Sequence, residues 1–297
     1  MQEGGPRRDT YMDGNTTGYR HITVDRLAGA GGGVISGVDL SQNPSDDVIA
    51  EIRGALIENL VIFFRDQSLT EDTLMAFGRR FGDLLVHPNL IRTGSHPEVV
   101  NILKEPDATQ VVGEDWHADT TCLATPPMGG ILYALETPTR GGDTMFANQY
   151  LAYEALSDGM KELLGGLRAV HNDTRVAGPK SHLGKGRSVG VRVDDEWQVT
   201  ENVHPVVRTH PESGRKSLFV NISYTRRFEG MTEEESAPLL NYLFAHAARP
   251  EFTFRFRWAP GSITFWDNRC INHIAVNDYH GYRRDMRRVQ VVGDRPV

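Results

Sequence analysis

The chain has 297 residues, 39% hydrophobic and 24% charged, with a formal net charge of −7. That length can bury a core without disulfide or metal staples. The acidic balance argues against nucleic acid or an anionic membrane as partner, since both select positive charge.

Residues 1–20 are polar and aperiodic, lack a signal peptide's apolar stretch, and read as a flexible tail before a single domain over 21–297. Helical spacing recurs in Ser45–Leu60, Thr70–Phe81 and Gln149–Leu164. Thr232 and Glu235 form a capping box ahead of Leu239, Leu240 and Leu243. Strands are expected at Val61–Phe64, Gly130–Ala134, Val203–Thr209, Ser217–Asn221, Phe252–Trp258, Ser262–Trp266 and Arg287–Val292. The stretch Phe252–Trp258 alternates apolar and polar residues strictly, as a half-buried antiparallel strand does. Few strands precede a helix, which disfavours a doubly wound sheet and favours a β-sandwich or open barrel with flanking helices. The Gly-, Lys- and Ser-rich stretch Val176–Gln198 reads as a long loop or lid. Cys122 and Cys270 have no CxxC companion, and no apolar run approaches the roughly 18 residues of a membrane span. A cytoplasmic protein with reduced, buried thiols is expected.

Three groups of residues carry chemistry. In Asp115-Trp-His-Ala-Asp119, an extended backbone would put His117 and Asp119 on one face, able to grip an ion; the same pair could be an ordinary surface pair. His273 follows the apolar strand that ends in Trp266-Asp-Asn268. Two histidines and a carboxylate suit a non-haem Fe(II) oxygenase, with three-ligand zinc and hydrolysis as the competing chemistry. In Tyr282-Arg-Arg-Asp-Met-Arg-Arg288, alternation puts Arg284, Met286 and Arg288 on one face and Arg283, Asp285 and Arg287 on the other. Two guanidinium groups beside a metal would call for anionic ligands, because Arg binds carboxylates bidentately; four solvated arginines on an edge strand are the alternative.

The sequence resembles the taurine dioxygenase/2,4-dichlorophenoxyacetate dioxygenase family of Fe(II)- and 2-oxoglutarate-dependent oxygenases. The likeness runs from about Gly37 to the C-terminus through Val61-Ile-Phe-Phe-Arg-Asp-Gln67, Trp116-His-Ala-Asp119, Gly141-Gly-Asp-Thr144 and His204-Pro-Val-Val-Arg-Thr-His-Pro211. It continues in Phe219-Val-Asn221, Trp266-Asp-Asn268, and His273 followed by arginines 11 and 15 residues later. The resemblance implies a double-stranded β-helix (jelly roll, cupin-like), mainly β with flanking helices, often a homo-oligomer of two or four chains. It implies Fe(II) on His117, Asp119 and His273, and 2-oxoglutarate on Thr144 and Arg284. With O2 the co-substrate would be decarboxylated to succinate and CO2 while a small anionic organic substrate is hydroxylated, with C–O or C–S cleavage where the attacked carbon bears such a group. Arg288 and His87 match positions that contact taurine's sulfonate.

The substrate pocket departs from the taurine pattern. Leu90 stands where that enzyme has Tyr, Gly113 where it has Asn, Val176 and Ala177 where it has Ser and Phe, and Tyr224 where it has another Phe. A larger, more apolar anion than taurine is expected: an aryl or alkyl carboxylate, an aryloxyalkanoate or a sulfonate. Glu114-Asp-Trp-His117, Thr174-Arg-Val176 and Tyr224 resemble the phenoxypropionate-cleaving branch, in which His87 is not expected. His87 could instead be structural ahead of Pro88, and Tyr224 plain core. A natural-product tailoring oxygenase of the same family and a non-catalytic ligand-binding jelly roll are the competing functions.

Overall fold

The computed structural model describes residues 18–90, 96–178, 188 and 197–297. Most of the expected tail and of the Val176–Gln198 loop therefore lies outside the described residues. Residues 18–20 do not behave as tail. Tyr19 Oη donates to Glu58, and the backbone N–H groups of Arg20, His21 and Ile22 all donate to the Glu51 carboxylate.

Strands dominate, as the sequence led us to expect. A seven-stranded sheet runs in the order β1 (Thr23–Ala28), β2 (Gly31–Ser36), β3 (Val61–Phe64), β13 (Ile263–Asp267), β5 (Gly129–Glu136), β15 (Arg284–Val291) and β4 (Val100–Lys104). Only the β2–β3 pairing in it is parallel. A three-stranded sheet of β12 (Thr253–Phe256), β6 (Thr144–Asn148) and β14 (Ile271–Ala275) faces it. Phe63 of the large sheet stacks on Phe256 of the small one at 4.0 Å, and Phe146 packs against Phe254 and Trp266. Two antiparallel layers closed over an apolar filling make the expected jelly roll.

Helices cover the outside of the large sheet. Ser45 caps α1 (Asp46–Asn59) and Thr70 caps α2 (Glu71–Arg79). Their stripes, with Ile52 and Leu56 on one helix and Leu74 and Phe77 on the other, bury against Ile62, Phe64, Phe265 and Val289. The capping box of Thr232 and Glu235 opens α5 (Glu233–Ala247). Leu240 and Leu243 close a third apolar cluster with Ala169, Leu218 and Phe228.

The expected helix Gln149–Leu164 is two helices, α3 (Gln149–Glu154) and α4 (Asp158–Gly165), because the Ser157 hydroxyl caps a new start at Met160 N–H. The strand expected over Val203–Thr209 breaks at Val206 into β8 (Glu201–Pro205) and β9 (Val207–Thr209), which pair in different sheets. Between them Val206 N–H bonds to Leu167 O and its carbonyl accepts from Phe219 N–H. The strand expected over Ser217–Asn221 is only β10 (Lys216–Leu218). Beyond it Asn221 turns the chain, its Oδ1 taking the Tyr224 N–H. Two further strands, β7 (Arg168–Asn172) and β11 (Thr225–Phe228), join β8 in a sheet over α5. Both cysteines are free and buried. No helix among the described residues is long and apolar enough to cross a membrane.

Candidate active site

The site lies between the two facing sheets. His273 sits in the middle of β14, and His117 pairs with it through an isolated antiparallel bridge. His117 N–H donates to His273 O at 3.0 Å, and His273 N–H donates to His117 O at 2.7 Å. Residues paired this way project side by side, so the two imidazoles meet with centroids 4.1 Å apart. Asp119, two residues on from His117, faces the same point, and the chain turns directly after it at Thr120, whose φ is 40°. Asp119 Oδ1 is 3.8 Å from His117 Nε2 and 3.9 Å from His273 Nε2. All three residues are buried, and their ligand atoms lie within 4.8 Å of one another.

The surroundings fix the state of each group. Asp115 O lies 2.8 Å from His117 Nδ1, which puts the proton on that nitrogen and leaves Nε2 as a lone pair. Burial holds both imidazoles below the usual histidine range, so they are neutral at pH 7; at His273 the neighbouring His117 adds to this. Burial would raise the Asp119 carboxyl, but the Arg288 guanidinium, helped by the Asn268 hydrogen bond, holds the group well below the usual range. Trp266 Nε1 and Asn268 Nδ2 each donate to Asp119 Oδ2 at 3.2 Å, and Asp119 N–H donates to Asn268 Oδ1. One carboxylate oxygen is thus tied back into the protein while Oδ1 faces the histidines. Two neutral imidazoles and a carboxylate oxygen are donors suited to a divalent first-row metal.

Trp266 reaches Asp119 because β5 carries glycines beneath it. A Cβ at Gly130 would stand 2.3 Å from the indole. Gly113 is similarly constrained, since its φ is 83° and a Cβ would meet His117 Cε1 at 2.8 Å. The departure from Asn at this position therefore leaves room that the imidazole itself occupies.

The alternation expected in β15 holds. Arg283 and Arg287 face outward and pair with Glu136 and Glu71, whereas Arg284 and Arg288 are buried on the cleft side. Arg288 Nη1 donates to Asp119 Oδ1 at 3.2 Å. Arg284 lies over the Trp258 ring, whose Nε1 donates to Thr144 Oγ1 at 3.0 Å. Thr144, Arg284, Arg288, His117 and His273 line one cavity of about 430 Å³. An adjoining cavity of about 550 Å³ is lined on one side by His87, Leu90, Gly113, Val176 and Tyr224, and on the other by His117, Asp119 and Arg288. Every site residue singled out in the sequence except Ala177, which is buried in an apolar core cluster, thus borders one or both cavities. His87 also does structural work, since its Nδ1 accepts from Asn89 and Leu90 N–H. Sequence reasoning gave no role to Asn268 or to the Trp266 indole. Strand alternation in Trp266-Asp-Asn268 carried the signal, because residues 266 and 268 share the face opposite Asp267.

A second buried group of donors, His210, Asp267 and Cys270, is already saturated. Asp267 takes two bonds from the Arg269 guanidinium and one from His210 Nε2, which makes it a structural ion pair.

The family model described as taurine catabolism dioxygenase TauD, TfdA family matches residues 22–290. The chain belongs to this family. It is an alpha-ketoglutarate-dependent non-haem iron dioxygenase, using Fe(II), 2-oxoglutarate and O2 as the sequence led us to expect. It is 34% identical over 279 residues to an alpha-ketoglutarate-dependent sulfate ester dioxygenase of Pseudomonas putida, covering 93% of this chain and 91% of the relative. It is 33% identical over 277 residues to an alkylsulfatase of Acinetobacter baylyi, covering 93% and 86%. The crystal structure of a taurine dioxygenase from Burkholderia xenovorans superposes with a TM-score of 0.79 at 37% identity, over 94% of this chain and 91% of that one.

Proposed function

We propose that the chain is one dioxygenase domain, residues 21–297, that oxidises a small organic anion with a sulfo head group, in the first place an alkyl sulfate ester. The observation that carries this reading is the convergence of His117, Asp119 and His273 with two buried arginines on adjoining cavities. The names of the relatives support the sulfate ester, and the apolar lining by Leu90, Val176 and Tyr224 supports an alkyl chain.

In this reading His117 Nε2, His273 Nε2 and Asp119 Oδ1 hold the ferrous ion. Trp266 and Asn268 keep Asp119 Oδ2 from joining Oδ1, so the protein supplies three ligands and leaves room for others. Arg284 and the Thr144 hydroxyl bind the far carboxylate of 2-oxoglutarate. The ion, when bound, supplies activation of O2 coupled to decarboxylation of the co-substrate. A dication at Asp119 Oδ1 would compete for the atom that Arg288 now bonds, leaving that guanidinium to the substrate's anionic head, with His87 beside it. Leu90, Gly113, Val176 and Tyr224 would then pack the alkyl body, exclude water and hold the target C–H in place. Hydroxylation of the carbon bearing the ester oxygen gives an unstable adduct, which collapses with C–O cleavage to an aldehyde and inorganic sulfate. The acidic chain and the two free thiols support a cytoplasmic enzyme without nucleic-acid or membrane partners, and family habit supports a homo-oligomer, dimer or tetramer.

A panel of alkyl sulfates, alkanesulfonates, taurine and 2,4-dichlorophenoxyacetate, read by succinate and sulfate release, tests this. Alkyl sulfates should give the highest kcat/KM, and Arg288→Met should raise their KM by about 100-fold, the usual loss for an unpaired charge-assisted contact. Preferred turnover of taurine, or an unchanged KM in Arg288→Met, would contradict the assignment.

A further inference from the structure

Lys104 ends β4, and the antiparallel ladder sets it directly opposite Arg284 of β15. Opposed residues of such a ladder project from the same face, so the ammonium and the guanidinium share the cleft side of the sheet. Ile102, two residues earlier on β4, lines the same cavity as Arg284. Lys104 is only 2% exposed, and its Nζ has no hydrogen-bond partner among the described residues. That Nζ lies 4.7 Å from the centre of the Tyr279 ring. Tyr279 and Arg284 in turn pack side by side against Gly142, and the Arg284 Nε has no hydrogen-bond partner among the described residues. The neighbouring carboxylates Asp143 and Asp278 are engaged by Arg255. Two cations therefore stand together at one end of the cleft, and among the described residues neither has a carboxylate at ion-pair distance, Asp107 and Asp143 acting on them only from further away. Such an arrangement is costly unless an anion joins it.

We propose that Lys104 is a positioning residue for the co-substrate. Its ammonium is held on the face of Tyr279, opposite the Arg284 guanidinium in the ladder, and the added positive charge favours a ligand with a second carboxylate at this end. The proposal rests on the co-substrate reading of Arg284 given above. Its particular consequence is selectivity: Lys104 should matter for 2-oxoglutarate, a dianion, and not for 2-oxobutyrate, which has the same keto-acid end and no far carboxylate.

The test is calorimetric binding of both acids to the Mn(II)-loaded protein under conditions where no turnover occurs. Lys104→Met keeps the aliphatic stem and removes the charge. It should weaken 2-oxoglutarate about three- to tenfold, the range of a desolvated cation–π contact, while 2-oxobutyrate moves by less than about twofold. Lys104→Arg should restore the difference. If Lys104→Met melts early, Tyr279→Leu, which removes the ring that holds the ammonium, carries the test and should show the same selective loss. Equal weakening of both acids, no rescue by Arg, or unchanged binding in Lys104→Met and Tyr279→Leu would overturn the proposal. An Arg284→Met protein that binds 2-oxoglutarate like wild type would overturn the co-substrate reading itself, and Lys104 with it.

Discussion

Asp119→Ala should lower the affinity for Fe(II), or for Mn(II) in its place, by more than about 100-fold, since disturbing even a ligand's supporting hydrogen bonds costs 10- to 100-fold. It should also destabilise the metal-free protein by about 3 kcal/mol, because it leaves Arg288 as a buried charge without its partner. That guanidinium is 6% exposed, and its bond to Asp119 Oδ1 is its charge pairing among the described residues. The sign with pH follows from the depressed Asp119 carboxyl. Its contribution is present above the unfolded pKa and is lost as pH falls through the lower folded value, so the gap between wild type and variant should close in acid. Urea unfolding of both apoproteins at neutral and acidic pH, together with metal titration, checks each part. Wild-type metal affinity in Asp119→Ala would remove this residue from the ligand set.

Arg284→Met should raise the KM for 2-oxoglutarate by about 100-fold, since truncating one member of a buried charge-assisted pair costs 2–5 kcal/mol, and should shift the KM for the organic substrate far less. Arg284 is 4% exposed and lies over the Trp258 face, while the neighbouring Lys104 ammonium is turned onto the Tyr279 ring. Lys would be a poor substitute because the planar fork, and not charge alone, meets a carboxylate through two parallel bonds. Initial rates with each substrate varied in turn separate the two constants. Equal increases in both would place Arg284 in the general integrity of the cleft and not at the co-substrate's carboxylate.

The parts of this site that could be read from the sequence are those where local periodicity decides geometry. Alternation along β15 was enough to sort Arg284 and Arg288 from Arg283 and Arg287, and the His-x-Asp spacing was enough to put His117 and Asp119 side by side. Strong alternation likewise marked β12, and capping residues marked α1, α2 and α5. Other elements were hidden for physical reasons. In β1–β2, Gly31-Gly32-Gly33 reads as a loop, yet a Cβ at Gly33 would stand 2.9 Å from Val24, so the glycines are there for close strand approach. Strand β14 follows a turn closely and has no alternation of its own; its place is fixed by β6 and by the bridge to His117. The clamp on Asp119 joins residues 119, 266 and 268 across nearly 150 positions, a contact that no local pattern reports. Lys104 escaped notice because a single Lys at the end of an apolar run normally reaches solvent, and only the fold shows it turned onto Tyr279.

The most direct test of the account is the stoichiometry of one reaction. Purified protein with Fe(II), 2-oxoglutarate and a medium-chain alkyl sulfate should consume O2 and release succinate and inorganic sulfate in equal amounts. The aldehyde should appear alongside, and zinc in place of iron should stop all of it. Sulfate released without O2 or 2-oxoglutarate, and undiminished with zinc, would mean that His117, Asp119 and His273 serve a hydrolase, and the oxygenase account would be wrong.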